Sequence, residues 1–112
     1  MKTHMQWAVE NIRRYQRCRN RLMSGDYSDA SAVSLLLQCY KNLYGAEINY
    51  RDAKIPGIEF SEYGYIECER LRLNFATIIQ QAMFEGVRYI DLPSMVTHAL
   101  SAPSLPGQAD GC

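Results

Sequence analysis

The sequence predicts an all-α fold, a compact bundle of three main helices followed by a short C-terminal helix. Three long segments of the 112-residue chain repeat apolar side chains with the 3.6-residue period of an amphipathic helix. Gly25, Gly45 and Gly86 follow these segments, as helix-terminating residues do. The content of 47% apolar and 21% charged residues is typical of one folded globular domain. We therefore predict a single helical domain over residues 1–100 and a flexible tail over residues 101–112.

The first two helices follow from periodicity and end signals. The first is predicted over residues 5–23, because its apolar side chains fall within one arc of about 140°. Gly25 and Asp26 then break the pattern. The second helix is predicted to begin after Ser28, a residue type that caps helix N-termini, and to end just before Gly45. Its apolar arc spans about 200°, so it needs cover from two directions and is predicted to lie at the centre of the core.

The second half of the chain alternates between connections and helices. Residues 46–60 are predicted to form a connector, either an ordered loop or a small β-hairpin over residues 47–60. The third helix is predicted over residues 61–84, with its first residue, a serine, as the N-cap. A brief extended segment is predicted at residues 87–90. The short final helix is predicted over residues 91–100, with a proline in its first turn.

Charge is distributed unevenly along the chain. Residues 1–24 contain six basic side chains and one acid, whereas residues 25–112 contain six basic side chains and eleven acids. On the first helix, four arginines share one arc of about 100°, with an aromatic side chain beside them. We define this candidate partner-binding surface as the arginine ridge, made of Arg13, Arg14, Arg17 and Arg21, with Trp7 next to it.

Three interpretations of the arginine ridge are open. It binds an acidic protein partner, or it follows the phosphates of a nucleic acid. Alternatively, it is a solvated face whose charge is neutralised by Glu10 on the same helix or by Glu62, Glu67 and Glu69 of the third helix. The sequence does not choose among the three.

The third helix carries two apolar stripes. The main stripe suits a core and contains Cys68, Leu71, Phe75, Ile78, Ile79 and Ala82. A second stripe, about 180° away, contains Ile66, Leu73 and Phe84, which we predict to be partner-binding residues. Either residues 46–60 or the fourth helix covers this stripe, or it is left for a second copy of the chain or another partner.

Arg19 differs from the other arginines because its position falls inside the apolar arc of the first helix. A guanidinium there extends its charged end outward or meets a carboxylate, since an unpaired buried charge is very costly. We expect an ion pair with an acid of the third helix or with Asp91.

The motifs of common enzymes and metal sites are absent from the sequence. It contains no C-x-x-C pair, no G-x-S-x-G, no H-E-x-x-H and no glycine-rich phosphate loop. A pair of Cys39 or Cys68 with His98 is compatible with the spacing, but both cysteines fall on apolar arcs, where thiols are usually inert. We therefore expect no enzymatic activity, no metal, no cofactor and no small-molecule substrate.

The expected function is macromolecular binding. The N-terminus lacks the continuous apolar stretch of a secretory signal, and no apolar segment is long enough to span a bilayer, so we expect a cytoplasmic location with reduced thiols. We predict a small non-catalytic regulatory, inhibitor or adaptor protein that binds a protein partner. The expected partner is an acidic protein or a second copy in a homodimer. The alternative is a nucleic-acid-binding module that uses the arginine ridge.

Overall fold

Four α-helices make up most of the part of the chain that the computed structural model describes, residues 1–103 without the side chain of Phe60. No strand occurs in these residues. The predicted all-α bundle is confirmed, and the part of the predicted tail from residue 104 onward lies outside the described residues. The helices are α1 (His4–Ser24), α2 (Asp29–Ala53), α3 (Tyr65–Glu85) and α4 (Leu92–Ser101).

Helix α1 forms as its sequence pattern predicts. The Thr3 side chain accepts a hydrogen bond from the backbone of Gln6, and the Gln6 side chain accepts one from the backbone of Thr3, which satisfies two N-terminal amides. Gly25 ends the helix at φ 77°, a left-handed conformation that glycine adopts without steric cost. The inward face buries Ala8, Ile12, Tyr15, Cys18 and Leu22.

Helix α2 is longer than predicted. It runs through Gly45 to Ala53, so the predicted end before Gly45 and the predicted connector over residues 46–53 are wrong, and the hairpin is not formed. A Cβ at Gly45 would lie 3.0 Å from the side-chain oxygen of Asn11. This glycine therefore serves the close approach of α1 and α2 rather than a helix end. Lys54, at φ 54°, is the residue that ends the helix.

The N-cap of helix α3 lies three residues later than predicted. It is Gly64, not Ser61, whose hydroxyl donates to the carbonyl of Ile58 at 2.8 Å in a preceding 3₁₀ turn. A Cβ at Gly64 would lie 1.6 Å from that same carbonyl oxygen. The Ile58 backbone therefore occupies the space that a side chain at position 64 would need. The periodicity of the sequence does not reveal this contact.

The connection between α3 and α4 is also helical. The predicted extended segment at residues 87–90 is wrong, because Val87–Tyr89 form a second 3₁₀ turn. Asp91 caps α4 by accepting a hydrogen bond from the Ser94 amide at 3.3 Å. Helix α4 is joined to α3 by Asn74, whose fully buried side-chain amide donates to the carbonyls of Ala99 and Ala102, each at 3.1 Å.

The core has α2 at its centre, as predicted from its wide apolar arc. Helix α2 packs against both α1 and α3, and α4 packs against α1 and α3. Tyr15 of α1 meets Phe75 of α3 edge to face, with ring centroids 5.9 Å apart. None of the helices among residues 1–103 is long and apolar enough to cross a membrane. The inward faces of the helices are thus buried in the core, and the outward faces of α1 and α3 carry exposed side chains.

Candidate functional site

The arginine ridge lies on the outward face of α1, with its four side chains exposed. Arg14 pairs with Glu10 at 2.7 Å between Nη2 and Oε1, and Arg21 approaches Asp26 at 3.5 Å. Arg13 and Arg17 have no ion-pair partner in the described part of the chain. Two of the four charges are therefore available to a partner.

Neutralisation of the ridge is partial. Lys2 and, after it, Arg14 lower the pKa of Glu10 from its ordinary value, so this carboxylate is shared between two cations. The glutamates of α3 and its preceding turn do not reach the ridge, since Glu67 pairs with Arg70 and neither Glu62 nor Glu69 forms an ion pair within residues 1–103. The expected neutralisation is thus seen at Arg14 alone. A shallow groove of about 610 Å³ follows this side of α1 and is lined by Lys2, Met5, Gln6, Val9, Glu10, Arg13 and Arg17.

Trp7 lies at the start of the same helix and is 41% exposed. The amino group of Lys2 lies 4.6 Å from its ring centroid, in cation–π contact. One face of this ring is therefore already occupied by a cation, which reduces its use as a stacking platform.

The second stripe of α3 is exposed. Ile66, Leu73 and Phe84 are 43%, 36% and 92% accessible to solvent. Neither residues 46–60 nor α4 covers them, so the expected coverage by the chain itself is wrong for the described residues. Helix α4 packs on the side of α3 that carries Asn74 instead, through the hydrogen bonds of that amide.

The structure adds three exposed side chains to this stripe that the sequence analysis did not select. We define the apolar face as Ile66, Leu73, Met83 and Phe84 of α3 with Leu37 and Tyr44 of α2. The two helices meet at Arg72, whose guanidinium carbon lies 5.1 Å from the Tyr44 ring centroid and whose Nε donates to Glu47 at 2.7 Å. Leu37 and Tyr44 lie at the edge of the 200° arc of α2, and that edge position is the signal that marks them as surface residues.

Arg19 does not form the expected ion pair. Its Nε and Nη2 donate to the side-chain oxygen of neighbouring Asn20 at 3.3 and 3.1 Å. Its guanidinium carbon lies 5.4 Å from the ring centroid of Tyr15. Partial burial disfavours the charge, but the nearby hydroxyls of Tyr63 and Tyr15 outweigh it and raise the pKa of Arg19. Arg19 is thus held by tyrosines, and no carboxylate among residues 1–103 pairs with it.

The described cysteines are buried thiols. Cys18, Cys39 and Cys68 are free, and desolvation raises the pKa of each, to about 12 for Cys68. Because the thiolate is the reactive form, burial lowers the reactivity of these thiols. His98 is exposed on α4. Within residues 1–103 no three His, Cys, Asp or Glu side chains are placed to hold a metal ion.

Comparison with known proteins adds no relative to these observations. The sequence matches no family model, no curated protein and no solved structure.

Proposed function

We propose that this chain is a small non-catalytic regulatory protein, acting as an inhibitor or adaptor, that pairs with a second copy through the apolar face and offers the arginine ridge to an acidic protein. The observation that carries the proposal is the apolar face itself. Phe84 is 92% and Met83 71% exposed, and Leu73 and Ile66 are exposed farther toward the N-terminus of the same helix. Exposed apolar surface of this kind favours an interaction site.

The spacing along α3 is compatible with a second copy as the occupant of the apolar face. Ile66 lies nine residues before Phe75 and Phe84 lies nine residues after it. In an antiparallel two-fold pairing of α3 helices centred there, Ile66 of one copy faces Phe84 of the other, twice. The same register brings Leu73 opposite Thr77.

The charges on α3 are compatible with that register. Glu69 comes opposite Gln81, so the exposed carboxylates of the two copies do not face each other. An interface of this type is self-complementary, as a two-fold dimer requires.

The first test replaces Leu73 by glutamate. We expect the parent protein to sediment as a dimer at about 10–100 μM and Leu73→Glu to sediment as a monomer, because a charge would lose its water near the middle of the paired helices. Leu73 is partly exposed in the monomer, so the unfolding free energy of the variant should be lower than that of the parent protein by about 1 kcal/mol or less. Sedimentation velocity and thermal melting measure the two quantities.

Ala30→Glu provides the matched control, because it adds the same charge at an exposed position on α2 outside the apolar face. It should leave the dimer intact. A parent protein that is monomeric throughout this range, or a Leu73→Glu variant that still dimerises, would contradict the proposal.

The arginine ridge has two candidate partners, and the structure favours the acidic protein. Arg13 and Arg17 line the same groove as Met5 and Val9, so they suit a partner with both carboxylates and apolar side chains. Nucleic acid is the second candidate, favoured by the two unpaired guanidinium groups. Proteins that bind single-stranded nucleic acid usually stack bases on aromatic rings, and Lys2 already covers one face of the Trp7 ring.

The second test compares a polyglutamate peptide with DNA oligonucleotides, single- and double-stranded and of equal charge, at about 50 mM salt. We expect tighter binding to the peptide and a loss of binding in the variant Arg13→Ala/Arg17→Ala. Arg51→Ala/Lys54→Ala removes two exposed cations at the end of α2 and should have little effect.

Tighter binding of DNA, with a salt slope that falls by about one unit for each arginine removed, would select nucleic acid instead. Binding to neither probe would exclude both partners.

The buried thiols support a location for this function. We infer a reducing compartment, the cytoplasm, because three cysteines of the described residues are free and enclosed in the core.

A further inference from the structure

A cleft of about 250 Å³ opens where α1, the turn before α3, α3 itself and α4 meet. It is separate from both the arginine ridge and the apolar face. Its lining combines charged, phenolic and aliphatic side chains, namely Tyr15, Arg19, Glu62, Tyr63, Glu67, Arg70, Leu71 and Leu100.

The hydroxyl of Tyr15 is the informative group in this cleft. Tyr15 is fully buried, and its oxygen has no hydrogen-bond partner among the described residues. Burial raises the pKa of Tyr15, so the hydroxyl keeps its proton and can donate. A buried polar group without a partner is costly, and a bound ligand that accepts a hydrogen bond would remove that cost.

Arg19 is the cation of the cleft that remains to be neutralised. Arg70 is already committed, since it pairs with Glu67 and its guanidinium donates to the backbone carbonyls of Leu100, at 2.9 Å, and Ala102. Arg19 contacts only a neutral amide and the tyrosines. A carboxylate in the cleft would supply the anionic partner that Arg19 lacks among the described residues, and it would accept a hydrogen bond from the Tyr15 hydroxyl.

Two further features restrict the ligand. Glu62 is an exposed acid of the lining without an ion-pair partner in residues 1–103, so it attracts a cationic group and opposes a multiply charged anion such as phosphate. Leu71 and Leu100 provide an aliphatic wall. A volume of about 250 Å³ is below that of pockets for drug-sized ligands, which indicates a ligand of few atoms.

We propose that this cleft binds a free apolar α-amino acid. The carboxylate would pair with Arg19 and accept the hydrogen bond of Tyr15, the ammonium group would pair with Glu62, and the aliphatic side chain would pack on Leu71 and Leu100. The charges of the lining balance those of the zwitterion, and each charged group of the ligand meets a side chain of opposite charge that has no ion-pair partner within residues 1–103.

The experiment titrates the folded protein with L-leucine and follows amide chemical shifts by NMR. We expect saturable shifts at residues of the cleft with a dissociation constant of about 1 mM or below. Leucinamide, which lacks the carboxylate, and 4-methylpentanoate, which lacks the ammonium group, are the matched ligands, and each should bind about tenfold more weakly.

Variants assign the contacts. Arg19→Gln and Tyr15→Phe should each weaken leucine binding about tenfold, while Arg21→Gln, on the same helix outside the cleft, should not change it. Glu62→Gln should bind leucine only as tightly as the parent protein binds 4-methylpentanoate. Tyr15→Phe keeps the ring that packs on Phe75, so this variant should remain folded with an unchanged or raised melting temperature.

Three results would overturn the proposal. They are the absence of leucine-dependent shifts up to about 10 mM, equal binding of leucine and leucinamide, and unaltered binding by Arg19→Gln and Tyr15→Phe.

Discussion

Gly45 and Gly64 each occupy a place where a second segment of the chain comes close: a Cβ would make a tight contact at Gly45 and would overlap backbone at Gly64. At Gly45 the neighbour is the side chain of Asn11, and at Gly64 it is the backbone carbonyl of Ile58. Sequence patterns treat glycine as a helix end because it tolerates left-handed backbone. At these two positions the small size of glycine matters instead. The need for a small residue can be recognised only when the neighbouring segment is known.

Gly64→Ala should destabilise the protein by about 3 kcal/mol, because its methyl group would overlap a backbone oxygen that cannot rotate away. The backbone of Gly64, at φ −71°, is compatible with alanine, so the cost is steric. Gly25→Ala is the control, since it meets no atom within 4 Å and costs only about 1 kcal/mol of left-handed strain. Urea unfolding of both variants measures the difference, and equal stabilities would show that the turn before α3 adapts.

At the scale of elements, α2 and α3 are joined by the ion pair of Glu47 and Arg72. Their side chains are only 11% and 15% exposed, and Arg72 also donates to the hydroxyl of Tyr40 at 3.1 Å. A buried pair contributes little net stability compared with apolar residues, but removal of one member leaves a charge without compensation.

Glu47→Gln should therefore lower the unfolding free energy by about 2–3 kcal/mol. The double variant Glu47→Leu/Arg72→Leu should lose less unfolding free energy than the sum of the losses in Arg72→Leu and Glu47→Leu, because no unpaired charge remains. A double-mutant cycle by denaturant unfolding measures the coupling. Additive effects would show that solvent already screens the pair.

The elements that the sequence predicted well are those with strong local signals. Helix α1 has a capping sequence, a regular apolar arc and a left-handed glycine, and α4 has Asp91 followed by Pro93. The boundary between α2 and α3 was predicted incorrectly because Gly45 and Ser61 resemble end signals, whereas tertiary contacts extend one helix and delay the other. Burial of Ala46 and Tyr50 on the added turns of α2 stabilises the longer helix.

At the scale of the whole molecule, the two predicted surfaces were located by periodicity alone. The positions of Arg17 and Leu73 on their helices follow from 100° per residue, so their outward direction was accessible from sequence. Whether another part of the chain covers Leu73 depends on where α4 packs, and Asn74 and Arg70 both hydrogen-bond the end of that helix. The cleft around Tyr15 and Arg19 could not be predicted, because it combines side chains from three segments that are far apart in the sequence, residues 15–19, 62–71 and 100.

The central position of α2 has a consequence for how the chain folds. Helix α2 packs mainly on α1 and α3, its two neighbours in sequence, and is joined to them by residues 25–28 and 54–64. Closing such short loops costs little chain entropy, and native contacts between adjacent segments are typical of rapidly folding domains. Each helical hairpin can therefore assemble as a local unit, with α4 completing the structure as the last described element to leave a ribosome.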